Sequence, residues 1–346
     1  MTNKIIKLSQ NENPLGPGQQ VIAALHEEMA RVSLYPAPDG EPLSQALAEH
    51  YSLPQEQITL SNGSGSISIL LLIAEELTHN GGHVMFSGNG YISFIFHHLK
   101  SSGILDKPFT IVPKNNERHD LIRMAEKALS TDTRVIFIEN PDNPTGTWIS
   151  HDELAEFLTQ IPEEMIVVVD EAYSEYARYT LGADYPDTIR LQKKYPNLVI
   201  VRTFSKAYGL AGLRIGYAIS APEMSGMLNK KRVKLCVTSP ALAAACVALK
   251  DKEHLKRTLE TNKAGMEYLE NAFQEMNIDY KPSVANFMMF NAGEKAHSLF
   301  EKLKQKNILI FPLAAYDMPA KLRVTIGLSE ENQAFIENLR EILPVL

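Results

Sequence analysis

Three polar residues each follow a short apolar run in the middle of the chain, and their functional groups could together perform amine chemistry. Asn143 follows RVIFI, Asp170 follows MIVVV, and Lys206 comes shortly after LVIV. Each run has the length and β-branched composition of a buried strand. Because ligands of open α/β sheets bind at the carboxyl ends of the strands, we expect the amide, the carboxylate and the amine to lie on one rim.

A second feature lies upstream, where SNGSGSISILLLIAEEL places small residues before an apolar, helix-like run. Backbone N–H groups at a helix start form a site for an anion, and the hydroxyls of Ser64 and Ser66 and the flexible Gly65 lie beside them. The glycine pattern lacks the lysine of a P-loop and the spacing of a dinucleotide fingerprint, which argues against a nucleotide. The pattern therefore predicts a site for one terminal phosphate group.

Pyridoxal phosphate is a cofactor that needs one phosphate site, a carboxylate, an amide and an amine. Lys206 would bind its aldehyde carbon and later move a substrate proton. Asp170 would keep the pyridine nitrogen protonated, which sustains the ring as an electron sink. Asn143 and Tyr173 would form hydrogen bonds with the 3-oxygen of the ring. The residues assigned to the phosphate are Ser64, Gly65, Ser66, Thr203, Ser205 and Arg214.

The elements that would position these groups can be predicted from the middle of the chain, where strand-like and helix-like segments alternate. This alternation is typical of an α/β fold with a mostly parallel sheet covered by helices on both faces. Residues 251–276 have heptad-like apolar spacing, which predicts one long helix before a run of shorter elements. We expect a large domain over residues 34–250 and a small α+β domain that combines residues 1–33 with residues 251–346.

Composition excludes several classes of function. The net charge of −7 comes without a lysine or arginine cluster, so we expect neither a nucleic-acid nor a membrane surface. The two cysteines, Cys236 and Cys246, form no disulfide framework, and the start lacks the pattern of a signal peptide, so a cytoplasmic location is expected. His79 and His83 flank two glycines that would not hold a helical metal face, and no metal site is expected.

Several motifs resemble those of one enzyme family. NPDNPTG, DEAYSEY and SKAYGLAGLRIGY are similar to motifs of fold-type I pyridoxal-phosphate-dependent aminotransferases. QNENPLGP, YPAPDG, PSVANFMMF and LRVTIG occur in the order typical of the histidinol-phosphate aminotransferase group. The resemblance covers nearly the whole chain and implies an aspartate-aminotransferase-like fold with a seven-stranded sheet. It also implies a homodimer with a shared active site that transfers the amino group between histidinol phosphate and 2-oxoglutarate, in histidine biosynthesis.

The resemblance also implies roles for residues outside the three strand ends. Tyr91 matches an aromatic ring that stacks on the cofactor, and Arg323 matches the arginine that binds the anionic group of the substrate. Tyr35 matches a tyrosine that reaches the cofactor phosphate and the substrate of the neighbouring subunit. Asn13 is a candidate substrate contact, and a capping or turn role is the alternative.

Three differences from the family pattern leave the substrate open. In NILIFP, Phe311 stands where the family commonly has a second arginine, and Gly65 and Ser66 replace an acidic pair. The chain begins close to its NEN motif, so we expect substrate contacts from a longer arm to be missing. An aromatic or other amino-acid aminotransferase is therefore an alternative. A threonine-phosphate decarboxylase and a non-catalytic regulatory domain with the same fold are further alternatives.

Overall fold

The computed structural model describes residues 5–345 of the chain. Within this range the strands form three sheets, of two, four and seven strands. The strands are β1 (Ile6–Lys7), β2 (Ile58–Leu60), β3 (His83–Ser87), β4 (Phe109–Val112), β5 (Thr133–Glu139), β6 (Ile166–Asp170), β7 (Leu198–Thr203), β8 (Gly216–Ile219), β9 (Tyr280–Lys281), β10 (Phe287–Asn291), β11 (Ile308–Leu309), β12 (Phe311–Pro312) and β13 (Lys321–Thr325). The helices are α1 (Gln19–Met29), α2 (Glu41–Tyr51), α3 (Ser66–Thr78), α4 (Tyr91–Ser101), α5 (Leu121–Leu129), α6 (His151–Gln160), α7 (Ser174–Leu181), α8 (Thr188–Lys194), α9 (Pro222–Lys231), α10 (Ser239–Lys250), α11 (Lys252–Glu275), α12 (Ala296–Gln305) and α13 (Ser329–Ile342).

The seven-stranded sheet has the strand order β2-β8-β7-β6-β5-β3-β4. β8 is antiparallel to both of its neighbours, and the other pairs are parallel. Glu139 is in register with Asp170, and Asp170 with Val201, so the carboxyl ends of the adjacent strands β5, β6 and β7 lie at one edge. The predicted mostly parallel sheet is therefore confirmed, and the three strands predicted from apolar runs form its centre.

The central strands are apolar throughout because helices cover both faces of this sheet. Val167 and Val169 of β6 pack in the core on one face, together with residues of α2, α5, α6 and α10. Val168, which points the opposite way, packs with residues of α3, α4 and α9. A half-exposed strand would instead alternate apolar and polar residues.

The four-stranded antiparallel sheet has the order β12-β13-β10-β9 and forms the centre of a smaller unit with α12, α13 and the C-terminal half of α11. Phe273, Phe290 and Phe335 join a helix, a strand and a second helix, with ring centroids within 6.4 Å of one another. The predicted long helix is confirmed as α11. It begins after Asp251, whose carboxylate accepts a hydrogen bond from the backbone N–H of His254 at 3.0 Å.

The N-terminal segment divides between the two units. β1 pairs in parallel with β11, and the neighbouring Leu8 lies in the core of the smaller unit. Val21 of α1 instead packs in the core of the seven-stranded sheet, where α1 faces α10. We therefore propose that residues 19–29 belong to the large domain, whereas the predicted boundary after residue 250 stays a prediction. No helix within residues 5–345 is both long and apolar enough to cross a membrane.

Candidate active site

A cavity lies where the edge formed by β5, β6 and β7 faces the four-stranded sheet, and the segment after β1 crosses it. Ten of the predicted site residues line this cavity: Ser66, Tyr91, Asn143, Asp170, Tyr173, Thr203, Ser205, Lys206, Arg214 and Arg323. Ten further residues complete its lining: Ser9, Gln10, Asn11, Ile67, Phe94, Glu139, Pro141, Ala172, Phe311 and Tyr316.

Lys206 follows β7 in a tight turn and is half-buried. Its Nζ atom donates a hydrogen bond to the backbone oxygen of Gln10 at 3.1 Å and lies 5.6 Å from the ring centroid of Tyr173. Burial, followed by repulsion from Arg323, lowers the pKa of Lys206 to about 7. A sizeable fraction of the amine is therefore neutral near pH 7, and only the neutral amine can attack a carbonyl carbon or accept a proton.

Asp170 ends β6 and is 5% exposed. Its Oδ1 atom accepts a hydrogen bond from the backbone N–H of Ala172 at 3.1 Å. Among the described residues, no lysine, arginine or histidine side chain lies within 4 Å of this carboxylate. Burial, and to a lesser extent Glu171, raises the pKa of Asp170 to about 7. A buried acid without a cationic partner is suited to bind a protonated ring nitrogen.

The start of α3 and Arg214 form a site for an anion. Gly65 precedes α3 with a φ of 74°, and no side chain of the described residues caps the helix. Arg214 donates to the backbone oxygen of Ser64 at 2.9 Å and to the Ser205 hydroxyl at 3.4 Å. The positive φ favours glycine at this position, and a Cβ atom would lie 2.8 Å from the Arg214 guanidinium and displace it. The helix start, two serines and the arginine therefore converge as a phosphate site needs.

Two more predicted residues lie between the acid and the facing sheet. Asn143 accepts a hydrogen bond on Oδ1 from Arg323 at 2.5 Å, which leaves its amide nitrogen to donate. The Tyr173 hydroxyl accepts a hydrogen bond from Asn11 Nδ2 at 2.9 Å, and burial raises the pKa of Tyr173 above its ordinary value. Tyr91 opens α4 at the side of the cavity. The three side chains line the same cavity as Asp170 and can therefore contact a flat ring bound there.

Arg323 reaches the cavity from β13 and is 4% exposed. Its second hydrogen bond goes to the backbone oxygen of Ser9 at 2.8 Å, and its Nε atom is buried without a partner among the described residues. The guanidinium lies 4.7 Å from the ring centroid of Phe311 and 5.3 Å from that of Phe287. Burial lowers the pKa of Arg323 from its ordinary value, but the group stays charged at neutral pH. It is a rigid cation suited to a carboxylate or phosphate.

The family described as aminotransferase class I and II matches residues 3–339 of the chain. The chain belongs to this family. Over 339 residues it is 42% identical to Histidinol-phosphate aminotransferase 2 of Pseudomonas fluorescens, a match that covers 98% of this chain and 89% of the relative. Over 338 residues it is 41% identical to Histidinol-phosphate aminotransferase 1 of Nitrosococcus oceani, with the same two coverages.

Solved structures are similar to this aminotransferase over almost its whole length. The histidinol-phosphate aminotransferase of Sinorhizobium meliloti in complex with pyridoxal-5'-phosphate has a TM-score of 0.88 and 27% identity, covering 99% of this chain and 92% of that chain. The aspartate aminotransferase of Thermus thermophilus with maleate has a TM-score of 0.82, with 18% identity and the same coverages. The predicted fold type and the predicted enzyme class are confirmed, as is the predicted resemblance to the histidinol-phosphate aminotransferase group.

Four predicted site residues of this aminotransferase do not line the cavity: Ser64 and Gly65 lie against Arg214 at its anion site, and Asn13 and Tyr35 lie elsewhere. Asn13 donates to the backbone oxygen of Ala207 and to the Thr258 hydroxyl, both at 3.0 Å, and its Oδ1 accepts from the backbone N–H of Leu15 at 3.0 Å. These contacts fit the alternative of a turn role. Tyr35 is 87% exposed, and its predicted contact with a neighbouring subunit stays a prediction.

Sequence reasoning assigned no role to several residues that the aminotransferase places in its cavity. Glu139 directly follows the predicted strand RVIFI, and only this position at a strand end could have indicated a site residue. Gln10 and Asn11 belong to the QNENPLGP motif and contact Lys206 and Tyr173. Within residues 5–345 no group of three or more histidine, cysteine, aspartate or glutamate side chains could hold a metal ion.

Proposed function

We propose that this aminotransferase depends on pyridoxal phosphate and transfers the amino group between histidinol phosphate and 2-oxoglutarate. The observation that carries the proposal is the position of Lys206 in one cavity with Asp170 and the anion site at Arg214. The relatives with about 40% identity bear the name histidinol-phosphate aminotransferase, which supports this substrate pair.

The residues of the cavity fit the cofactor group by group. Its phosphate would be held by the start of α3, Ser205 and Arg214, and its ring nitrogen by Asp170. Tyr91 would contact the ring face, and Asn143 and Tyr173 would form hydrogen bonds with its 3-oxygen. When bound, pyridoxal phosphate supplies an electron sink for charge that develops on the α-carbon of the substrate.

Lys206 would remove the proton from the α-carbon of the amino donor. Its lowered pKa, about 7, supports this role because a base works best near the operating pH. Arg323 would bind the carboxylate of glutamate, and its hydrogen bond to Asn143 would hold the guanidinium in place. The buried position of Arg323 strengthens this attraction because water screens it weakly.

A second candidate, an aromatic amino-acid aminotransferase, is supported by an aromatic cluster that lines part of the cavity. Phe94 stacks on Tyr316 with ring centroids 5.1 Å apart, and Phe311 meets the same ring edge-on at 5.9 Å. The cationic side chains of the described cavity lining are Lys206, Arg214 and Arg323. With the amine and Arg214 assigned to the cofactor, an uncharged ring would suit this cluster.

Half-reaction spectra separate the two candidates. The purified protein is loaded with pyridoxal phosphate and mixed with histidinol phosphate or with phenylalanine, and loss of the visible cofactor band is followed. A faster and more complete response to histidinol phosphate is expected under the first proposal, and a response to phenylalanine alone would favour the second. Lys206→Ala is the control: its free cofactor aldehyde can still condense with the amine and shift the band, but without the base the visible band should not be lost with either compound.

We also propose a cytoplasmic homodimer in which Tyr35 completes the site of the partner. The exposed apolar side chains near Tyr35 support an interface: Met29, Val32, Leu34, Val233 and Leu235 are all at least 40% exposed. Cys236 and Cys246 carry unpaired thiols, which fits a reducing compartment.

Subunit complementation tests the shared site. Unfolding and refolding a mixture of Lys206→Ala and Tyr35→Ala chains would produce mixed dimers with one intact site if Tyr35 serves the partner. Activity should therefore rise above that of either variant alone. No gain from a mixture that forms dimers would contradict the shared site.

A further inference from the structure

Glu139 is a buried carboxyl group that the proposed function leaves without a task. It is the last residue of β5, is 7% exposed, and lines the cavity close to Tyr91 and Asn143. Burial, followed by the nearby Asp142, raises the pKa of Glu139, and Lys114 and the backbone N–H groups of Ile92 and Asn143 oppose this shift. A buried carboxyl group is costly unless its oxygens accept hydrogen bonds, so its partners indicate what it does.

The partners of Glu139 are three backbone N–H groups from two different segments. Its Oε1 atom accepts from Ile92 at 2.6 Å, in the first turn of α4. Its Oε2 atom accepts from Tyr91 at 3.3 Å and from Asn143 at 3.1 Å. The backbone N–H of Tyr91 also donates to the backbone oxygen of Asn143 at 2.8 Å. One carboxyl group thus joins the start of α4 to the loop after β5.

We propose that Glu139 is a positioning residue that holds Tyr91 and Asn143 at a fixed separation around the bound cofactor. The inference rests on the proposed function, because these two side chains are assigned there to the face and the 3-oxygen of the cofactor ring. Glu139 acts through backbone groups and does not itself take part in the reaction.

The residue before α4 supports this assignment independently. A Cβ atom on Gly90 would lie 2.9 Å from Glu139 Oε1, so any larger residue would displace the carboxyl group from its present position. Gly90 has no side chain to cap α4, and Glu139 supplies the acceptors from a neighbouring strand.

Two substitutions test the role of Glu139 by the dissociation constant of pyridoxal phosphate, measured by absorbance titration of the cofactor-free protein. Glu139→Gln keeps the shape but places an NH₂ group against a backbone N–H, and Glu139→Ala removes all three acceptors. We expect roughly tenfold weaker cofactor binding for the first, because buried donors lose a partner, and a larger loss for the second. Glu153→Gln is the matched control, since Glu153 accepts a backbone N–H at the start of α6, away from the cavity. It should leave the dissociation constant unchanged.

A double-mutant cycle separates positioning from a general loss of stability. If Glu139 acts through Tyr91, Glu139→Gln should weaken cofactor binding less in a Tyr91→Ala background than in the wild type. Equal effects in both backgrounds, or unchanged binding in both Glu139 variants, would overturn the inference while leaving the proposed function intact. A wild-type protein that fails to bind pyridoxal phosphate would overturn both.

Discussion

The cavity wall formed by the seven-stranded sheet carries an acid and an amine whose pKa values both lie near 7, whereas the facing wall carries one arginine between aromatic rings. Asp170 and Lys206 owe their positions to adjacent strand ends, and burial shifts both groups toward neutrality. Arg323 keeps its charge because its pKa starts far above 7. Under the proposed function, the larger sheet carries the reacting groups and the smaller sheet selects the substrate.

Removal of the Lys206 amine is the most severe test of the division between reacting groups and substrate-selecting groups. Lys206→Ala should lower kcat by roughly 10⁴-fold, because the general base and the covalent attachment point are lost together. Steady-state transamination with glutamate measures the loss, and the exposed Lys230→Ala on α9 serves as the control. A decrease of less than tenfold would show that another group is the base.

Asp170 links the stability of the cofactor-free protein to pH. Its pKa is about 7 in the folded chain, against an ordinary value of 3.8 for an exposed aspartate, so the folded protein keeps a proton that the unfolded chain releases. Its stabilising contribution is complete below about pH 4 and decreases as the pH rises through 7, by at most about 4 kcal/mol. Urea unfolding of the wild type and Asp170→Asn at several pH values should show this difference. A pH-independent difference between the two proteins would be inconsistent with a buried, unpaired acid.

On the facing wall, Arg323→Lys should raise KM for glutamate roughly tenfold to a hundredfold, because lysine lacks the planar fork and its charged hydrogen bonds. The value of kcat should change less, since the reacting groups lie on the other wall. Arg340→Lys, an exposed position paired with Glu275, is the control. A large decrease in kcat at unchanged KM would contradict the division between the walls.

The site residues of the larger sheet could be predicted from the sequence more fully than Arg323 on the smaller sheet, and the reason is physical. Asn143, Asp170 and Lys206 follow strands that are recognisable locally, and parallel strands bring their ends together whatever the rest of the chain does. Arg323 instead depends on Ser9, which lies 314 residues away along the chain. No local pattern encodes that contact, so the role of Arg323 came from resemblance alone.

The same limit explains the residues that were missed or misplaced. Glu139 directly follows a predicted strand, but its task depends on the start of α4, 47 residues away for Ile92. Asn13 is polar and lies within a motif, but its amide donates a hydrogen bond to Thr258, 245 residues away, and its side chain does not line the cavity. Contacts between distant segments thus decided which polar residues face the site.

The smallest expected effect concerns selectivity. Phe311→Arg adds a second cation beside Arg323 and should raise kcat/KM for histidinol phosphate relative to phenylalanine by about tenfold, through a new charged hydrogen bond. Phe311→Leu keeps an apolar side chain without the charge and is the matched control. Equal changes in both variants would mean that loss of the aromatic ring, and not the added cation, determines the selectivity.

The crossing segment after β1 has a consequence for how the enzyme would respond to its ligands. The backbone oxygen of Ser9 accepts a hydrogen bond from Arg323, which would bind an anion. The backbone oxygen of Gln10 accepts one from Lys206, which would bind an aldehyde. Each arriving ligand must therefore compete with the main chain for its cation. Ligand binding would break these hydrogen bonds and make the segment around Ser9 and Gln10 more mobile. Hydrogen exchange of its backbone amides should therefore be faster when the ligand is bound.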